Sequence, residues 1–404
     1  MIYLAWRNLF RNSRRTLASV LTVAFGASGL LIFQGFNEGI MNQYRDNTIR
    51  VRYGNGQVFP KGYREKKLEE PWRAWLESPD LVEKELLAIP HVQKVFPRVT
   101  FFAFLTKGGV NLAGRGEGVR SKDEAQFFSA MNFVEGTDLG IQSDAKAGVI
   151  LGKGLADSLG IHPGENLTIL AQTVNGQLNG LELAVTGIFH TGAKEFDDSY
   201  FRIELETAQA LLDTKRVELF SLATDSIEAW PSVEGAIRSA MPSVEAIPFD
   251  ELDKVYYKNA VAFLDSQFSV VRLIMLLIVA LGIFNTVASG LLERSGEVGA
   301  LRANGESRIR VFQVLSTESA LLGLLGGVVG VLFAVILDRT VLAKGIAMPP
   351  GPGITRQFLI FLEIQPRHFA QALILPAITT LIASLWPIRR LVKASIPSLL
   401  RQNL

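Results

Sequence analysis

Four long stretches of the chain lack any alternation of polar and apolar positions. Leu17 to Phe36, Leu273 to Leu292, Val311 to Leu337 and Phe369 to Ile388 are apolar runs in which the only charge is Glu318. The first is twenty residues, about 30 Å as an α-helix and so about one hydrocarbon thickness. Backbone amides inside lipid must be paired within their own segment, so each run predicts a membrane-spanning helix. Between Asn37 and Arg272 the pattern changes to short pieces of mixed period. Val99 to Leu105 reads as a strand ending at the Gly108-Gly109 turn, and Leu167 to Ala171 and Leu181 to Phe189 as two strands around a turn at Asn175-Gly176. Helical spacing appears in Lys153 to Leu159, Leu205 to Leu212 and Val233 to Met241. Glu251 to Phe268 has no strong breaker, so a long helix is expected to run from this region into the second span. Asn37 to Tyr44 extends the first span in the same way. Paired stalks of this kind would couple the domain mechanically to the membrane. The fold class is thus a membrane protein with four transmembrane α-helices and a large α+β domain inserted between helices 1 and 2.

Charge places the ends. Arg7, Arg11, Arg14 and Arg15 precede the first span, and Arg389, Arg390, Lys393 and Arg401 follow the fourth, both without an acid. The positive-inside rule therefore puts both termini in the cytoplasm. Arg294, Arg302, Arg308 and Arg310 after the second span agree, diluted by Glu293, Glu297 and Glu306. Arg339, Lys344, Arg356 and Arg367 pull the other way, because this topology places them outside. The first sixteen residues set Ile2, Ala5, Trp6, Leu9 and Phe10 on one helix face and Arg and Asn on the other, an amphipathic helix at the inner interface that anchors, contacts a partner, or both. The first apolar run is longer than a signal peptide requires, so it is read as a retained anchor.

The resulting divisions are a cytoplasmic amphipathic helix (1–16), transmembrane helix 1 (17–40), the outer α+β domain (41–268), transmembrane helix 2 (269–292), a charged cytoplasmic helix (293–310), transmembrane helix 3 (311–337), an outer loop (338–368), transmembrane helix 4 (369–388) and a cytoplasmic tail (389–404). A mean hydropathy of +0.25 over 404 residues fits a chain only partly in lipid. The absence of cysteine excludes disulfides and thiolate chemistry, and a net charge of +2 gives no nucleic-acid footprint. His91, His162, His190 and His368 are scattered without metal-ligand spacing. No G-x-S-x-G elbow is present, and Asp197-Asp198 reads as a solvated turn whose two side chains face opposite ways. The glycines and lysine of Gly148 to Gly154 lack the spacing that cradles phosphates.

Within span 3, Gly323, Gly326, Gly327 and Gly330 form two G-x-x-x-G pairs suited to close helix packing. Glu318 is a costly intramembrane carboxylate. It is either protonated or paired at the dimer seam, with Asn285 or Thr286 of span 2 as candidate partners, or solvated near the inner interface.

The charged segment between spans 2 and 3 carries Glu293, Arg294, Glu297, Val298, Gly299, Leu301, Arg302, Ala303 and Gly305. It resembles the E-R-x-x-E-I-G-x-L-R-A-x-G signature of ABC transporter permeases of the MacB, LolE and FtsX type, with Val298 for isoleucine and Asn304 where an apolar residue is usual. Ala5 to Thr16, Gly148 to Ile169 and Trp386 to Arg401 resemble the same family, so the likeness covers nearly the whole chain in order. It implies a bacterial inner-membrane permease that dimerises with an identical or related chain and works with two copies of a cytoplasmic ATPase. Glu293, Arg294, Glu297, Val298, Gly299, Leu301, Arg302 and Gly305 would be the coupling residues, Glu297 and Arg302 offering charge and Val298 and Leu301 an apolar face. ATP and Mg would be bound by the partner, with no cofactor in this chain and no catalysis by it. The likeness also implies a periplasmic domain with a lobe inserted at about residues 120–215. Gly187 to Leu212 and the long last loop look more like the lipoprotein-releasing LolC/LolE branch, implying export or extraction of a lipoprotein or other amphiphile from the outer leaflet, with or without a periplasmic acceptor or adaptor. A MacB-like tripartite efflux permease and an FtsX-like signalling permease that activates a cell-wall hydrolase are the alternatives.

Overall fold

The structure, a computed structural model, describes residues 13–63, 71–129, 131–139, 148–293, 295–349, 355 and 357–401. The expected N-terminal amphipathic helix falls almost entirely outside them, as does Arg294. The described chain divides into two compact units, one of 1–42, 261–347 and 359–404, the other of 43–260 and 348–358.

The first unit is built on four helices long and apolar enough to cross a membrane. They are α1 (Ser13–Thr48), α9 (Asn259–Glu293), α11 (Arg308–Thr340) and α12 (Pro366–Lys393). The glycines of α11 divide their work between two neighbours. A Cβ on Gly326 would meet Val23 Cβ at 2.5 Å and one on Gly330 would meet the Ala24 carbonyl oxygen at 2.5 Å, so this pair sits against α1. A Cβ on Gly323 would meet Ala377 Cα at 2.7 Å and one on Gly327 would come within 3.4 Å of Leu373 Cα, so the other pair sits against α12. Each G-x-x-x-G pair thus removes side-chain bulk where a different backbone approaches. Helix α9 instead leaves Leu273, Leu277, Ile278 and Leu281 more than half exposed on the single chain. It contacts α1 where Phe33 and Phe268 meet edge to face at 5.9 Å.

Glu38 on α1 accepts hydrogen bonds from Gln365 Nε2 at 2.6 Å and Arg367 Nη2 at 2.5 Å. One of the four basic residues that opposed the inferred topology is therefore neutralised locally. Between α11 and α12 the chain forms a 3-10 turn at Leu342–Lys344 and a small two-stranded sheet, β11 (Ile346–Met348) with β12 (Phe358–Ile360).

The second unit is α+β. Its strands are β1 (Gly56–Pro60), β2 (Val92–Lys107), β3 (Val110–Val119), β4 (Asn132–Gly136), β5 (Gly148–Gly152), β6 (Asn166–Gln172), β7 (Leu178–His190), β8 (Tyr200–Glu204), β9 (Leu219–Thr224) and β10 (Val244–Pro248). Six of them close on themselves: β2 pairs β3, β3 pairs β8, β8 pairs β5, β5 pairs β7, β7 pairs β6, and β6 returns to β2. Alternate residues fill this ring, among them Phe101, Ala103, Leu105, Leu167, Ile169, Leu183, Val185, Phe201 and Ile203. Gly116 belongs to the filling, because a Cβ there would lie 2.4 Å from Phe101 Cζ. The other half of β2 runs beside β9, and β9, β1 and β10 continue outward from it. The long β2 is therefore shared between two lobes. The ring needs both β2 and β3, which precede the 120–215 expected for an inserted lobe.

Lys153–Leu159 (α4) and Leu205–Leu212 (α6) are helices, α7 (Trp230–Ala240) begins three residues before the expected start, and Gly108, Gly109 and Gly176 adopt positive φ in the turns assigned to them. The single stalk helix expected over Glu251–Phe268 is corrected. A short α8 (Phe249–Leu252) stops at Asp253, with φ −103° and ψ 49°, and a π-turn at Lys254–Lys258 follows before α9 begins.

Candidate coupling sites

In the first unit the charged insert is helix α10 (Ser295–Ala303), shorter than the 293–310 expected. Glu293 is the exposed last residue of α9, and Arg308 and Arg310 already belong to α11. Gly305, at φ +92°, closes α10: its N–H donates to the Arg302 carbonyl and that of Glu306 to the Leu301 carbonyl. Ser307 then caps α11 by accepting from Arg310 N at 3.3 Å.

Three of the residues expected to couple, Val298, Gly299 and Arg302, lie off the exposed face of α10. Val298 is 2% exposed and packs with Val311, Leu315, Ile388, Leu391, Val392 and Leu399, the last on α13 (Ile396–Arg401). Gly299 is buried with it. Arg302 donates from Nη1 to the carbonyls of Val392 at 3.0 Å and Ala394 at 2.6 Å, capping α12. These residues fix α10 to the helices beside it. The outward face is formed by Ala300, Leu301, Ala303, Asn304 and Gly305, with Ile309 close in sequence; Leu301 is 46% and Ile309 72% exposed. Glu297 is half-buried. Glu318 is 4% exposed, which removes the solvated alternative, whereas Asn285 is exposed and Thr286 donates to its own helix at the Gly282 carbonyl.

The second unit holds a joint that sequence reasoning missed. Helix α1 passes into a π-turn, Ile49–Tyr53, whose last carbonyls are clamped by two buried arginines. Arg98 Nη1 donates to the Arg52 carbonyl at 2.6 Å and Arg202 Nη2 to the Val51 carbonyl at 3.0 Å. Both arginines are 1% exposed. Glu117 stands opposite Arg202 in the β3–β8 register and accepts from its Nε at 2.8 Å; Glu124, on α3 (Ser121–Glu124), accepts from Arg98 Nε at 3.1 Å and Nη2 at 2.8 Å. Burial acts to raise the Glu117 pKa, but Arg202 and Arg98 together outweigh it and hold the carboxyl below its usual range. For Glu124 burial prevails and the pKa is raised. Four charges are thus arranged so that each is paired and the remaining arginine donors hold backbone. Nearby, Tyr44 stacks on Tyr257 at 5.6 Å and Phe249 meets Tyr257 at 4.9 Å, joining the two stalks within this unit.

The acidic pair behaves differently from expectation. Asp197 and Asp198 do face opposite ways, on α5 (Lys194–Ser199), but Asp197 is buried and accepts from Thr191 N at 2.9 Å, Thr191 Oγ1 at 2.8 Å and Gly192 N at 3.1 Å. It closes a loop, and burial raises its pKa against those hydrogen bonds. Among the described residues no group of three His, Asp or Glu side chains is placed to hold a metal ion.

Residues 16–240 match the MacB-like periplasmic core domain family and residues 269–396 the FtsX-like permease C-terminal family. The lipoprotein-releasing system transmembrane protein LolC of Neisseria meningitidis is 24% identical over 346 residues, which cover 81% of this chain and 77% of the relative. LolE of Haemophilus influenzae, of the same lipoprotein-releasing system, is 21% identical over 336 residues, 77% of this chain and 78% of the relative. The crystal structure of the periplasmic region of MacB from Actinobacillus actinomycetemcomitans aligns with a TM-score of 0.36 at 14% identity, covering 51% of this chain and 94% of that one.

Proposed function

The chain belongs to the ABC transporter permeases that join a MacB-like periplasmic core domain to an FtsX-like C-terminal membrane domain, and from that premise we propose that it conveys force from a cytoplasmic ATPase to its periplasmic domain to release an amphiphilic cargo from the membrane. Permeases of this family are inner-membrane subunits that work with ATPase partners. In this reading both termini and α10 face the cytoplasm, the α+β domain lies in the periplasm, and two protomers engage two ATPase subunits that bind ATP and Mg.

The observation that carries the proposal is the construction of α10. Its inner face is locked by Val298, Gly299 and Arg302, while Leu301 and its small neighbours form an exposed ridge. A short helix fixed this way transmits a push instead of absorbing it, because packed interfaces respond as rigid bodies. At the far end of α1, the Arg98 and Arg202 clamp on the Val51 and Arg52 carbonyls would deliver that displacement to β2, β3 and β8. The likeness to LolC and LolE favours a lipoprotein or comparable amphiphile as cargo.

Affinity purification of the chain from native membranes, followed by mass spectrometry, tests the proposal. A cytoplasmic ATPase and a lipidated protein are expected to co-purify. A cell-wall hydrolase, or an adaptor with an outer-membrane duct, in place of the lipidated protein would contradict the cargo, and recovery of no ATPase would contradict the coupling.

A further inference from the structure

Within the α+β domain a cavity of about 340 Å³ is lined by Arg52, Arg98, Arg115, Glu117, Tyr200 and Glu218, among others. Its charged groups fall into two sets. Arg98 and Glu117 belong to the buried ion network, and Glu218 accepts from Thr100 N at 2.7 Å and from the Tyr63 hydroxyl. Neither Arg52 nor Arg115 makes a salt bridge to a carboxylate among the described residues, although Glu117 and Asp253 act on Arg52 through space. Instead both donate to one atom, the Tyr200 hydroxyl oxygen, Arg115 Nη1 at 2.8 Å and Arg52 Nη2 closer still.

That arrangement is unusual for two like charges, since guanidinium groups sharing a single neutral acceptor repel one another in a partly desolvated place. It is the arrangement an anion would complete. Two phenol lone pairs are occupied by the two arginines, so the Tyr200 O–H remains to donate, and no acceptor for it is present among the described residues. Arg52 is held among the rings of Tyr53 at 4.9 Å, Phe196 at 5.6 Å and Tyr200 at 4.9 Å, which fixes its planar fork before any ligand arrives.

The surroundings say what kind of anion. Arg115 lies 5.0 Å over the ring of Phe102, which is 73% exposed, and Phe104, two residues along the same face of β2, is 58% exposed. An apolar strip therefore begins at the arginine that lines the cavity. The cavity sits at the lower end of the roughly 300–1,000 Å³ usual for ligand sites, room for a headgroup rather than a whole lipid.

We propose that Arg52, Arg115 and Tyr200 bind the phosphate or carboxylate headgroup of an amphiphile whose apolar tail lies along Phe102 and Phe104. This deepens the amphiphile reading of the cargo, and it is tested without ATPase or nucleotide, so that its failure leaves the coupling proposal standing.

Calorimetric titration of the purified full chain with dihexanoyl phosphatidic acid is the test, with dihexanoyl phosphatidylcholine and inorganic phosphate as comparison arms. Phosphatidic acid is expected to bind at least about tenfold more tightly than either. Arg115→Gln should weaken it about tenfold or more and Tyr200→Phe, which removes only the hydroxyl, several-fold. Phe102→Ser with Phe104→Ser should weaken the lipid while leaving any phosphate binding unchanged. Equal affinity for the choline lipid, or full affinity in both Arg115→Gln and Tyr200→Phe, would overturn the site. Equal affinity for inorganic phosphate would show a free-anion site and overturn the amphiphile.

Discussion

Glu117→Leu is expected to destabilise the periplasmic domain by about 3–5 kcal/mol, the usual consequence of removing one member of a buried ion pair. The substitution leaves Arg98 and Arg202, each 1% exposed, sharing the single carboxylate Glu124. One guanidinium is then buried without a counter-charge, and its hold on the Val51 or Arg52 carbonyl cannot be kept without that charge staying inside. A second variant separates charge from size. Glu117→Leu combined with Arg202→Leu removes one charge of each sign and keeps the Arg98–Glu124 pair, whose Nη2–Oε2 distance is 2.8 Å. It should recover much of the loss, remaining below the parent by about 1.5–3 kcal/mol for the charge-assisted bond to the Val51 carbonyl. Amide hydrogen exchange of β3 and β8 in the intact protein reads this locally. Unchanged exchange in Glu117→Leu would show that the network does not hold the joint.

Leu301→Asp is expected to weaken ATPase docking by about 2 kcal/mol or more, hence at least about 25-fold, as for a central apolar contact at an interface. Leu301 is 46% exposed and makes no part of the cluster that anchors α10, so the substitution should leave the permease folded. Val298→Asp makes the contrast, because that side chain is 2% exposed and a carboxylate there would unfold the α10 platform itself. The pair distinguishes a docking residue from a structural one. Co-purified ATPase should fall with Leu301→Asp at undiminished permease yield, whereas Val298→Asp should lower the yield. Full ATPase recovery with Leu301→Asp would place the docking surface elsewhere.

The membrane helices were legible because uncharged runs of this length have few other uses. Helices α4 and α6 were legible because their apolar spacing and end signals agree. The six-stranded ring was not. Its closing pair joins Ala103 to Ala171 and Thr106 to Thr168, and no local pattern announces a register between such distant segments. The ion network was hidden for a related reason. Arg98, Glu117 and Arg202 each lie in a strand-like run where a charge reads as a solvated face, and only the packing of the Ile49–Tyr53 turn and α3 over that face buries them. The signal that was available is Arg202 within Tyr-Phe-Arg-Ile-Glu, a charge flanked directly by the apolar Phe201 and Ile203. On α10 the motif was visible but its orientation was not, because Val392, Ala394 and Leu399, which decide the buried face, come from about ninety residues later in the chain.

The central claim is that nucleotide binding by an ATPase docked on the α10 ridge alters the joint at the far end of α1. Hydrogen exchange of the turns Ile49–Tyr53 and Lys254–Lys258, followed in the assembled complex with and without trapped ATP, measures this directly. The account predicts that ATP changes exchange at both turns in the parent protein and at neither in Leu301→Asp. Exchange at these turns that ignores ATP in the parent, or that still responds in a variant unable to dock the ATPase, would contradict it.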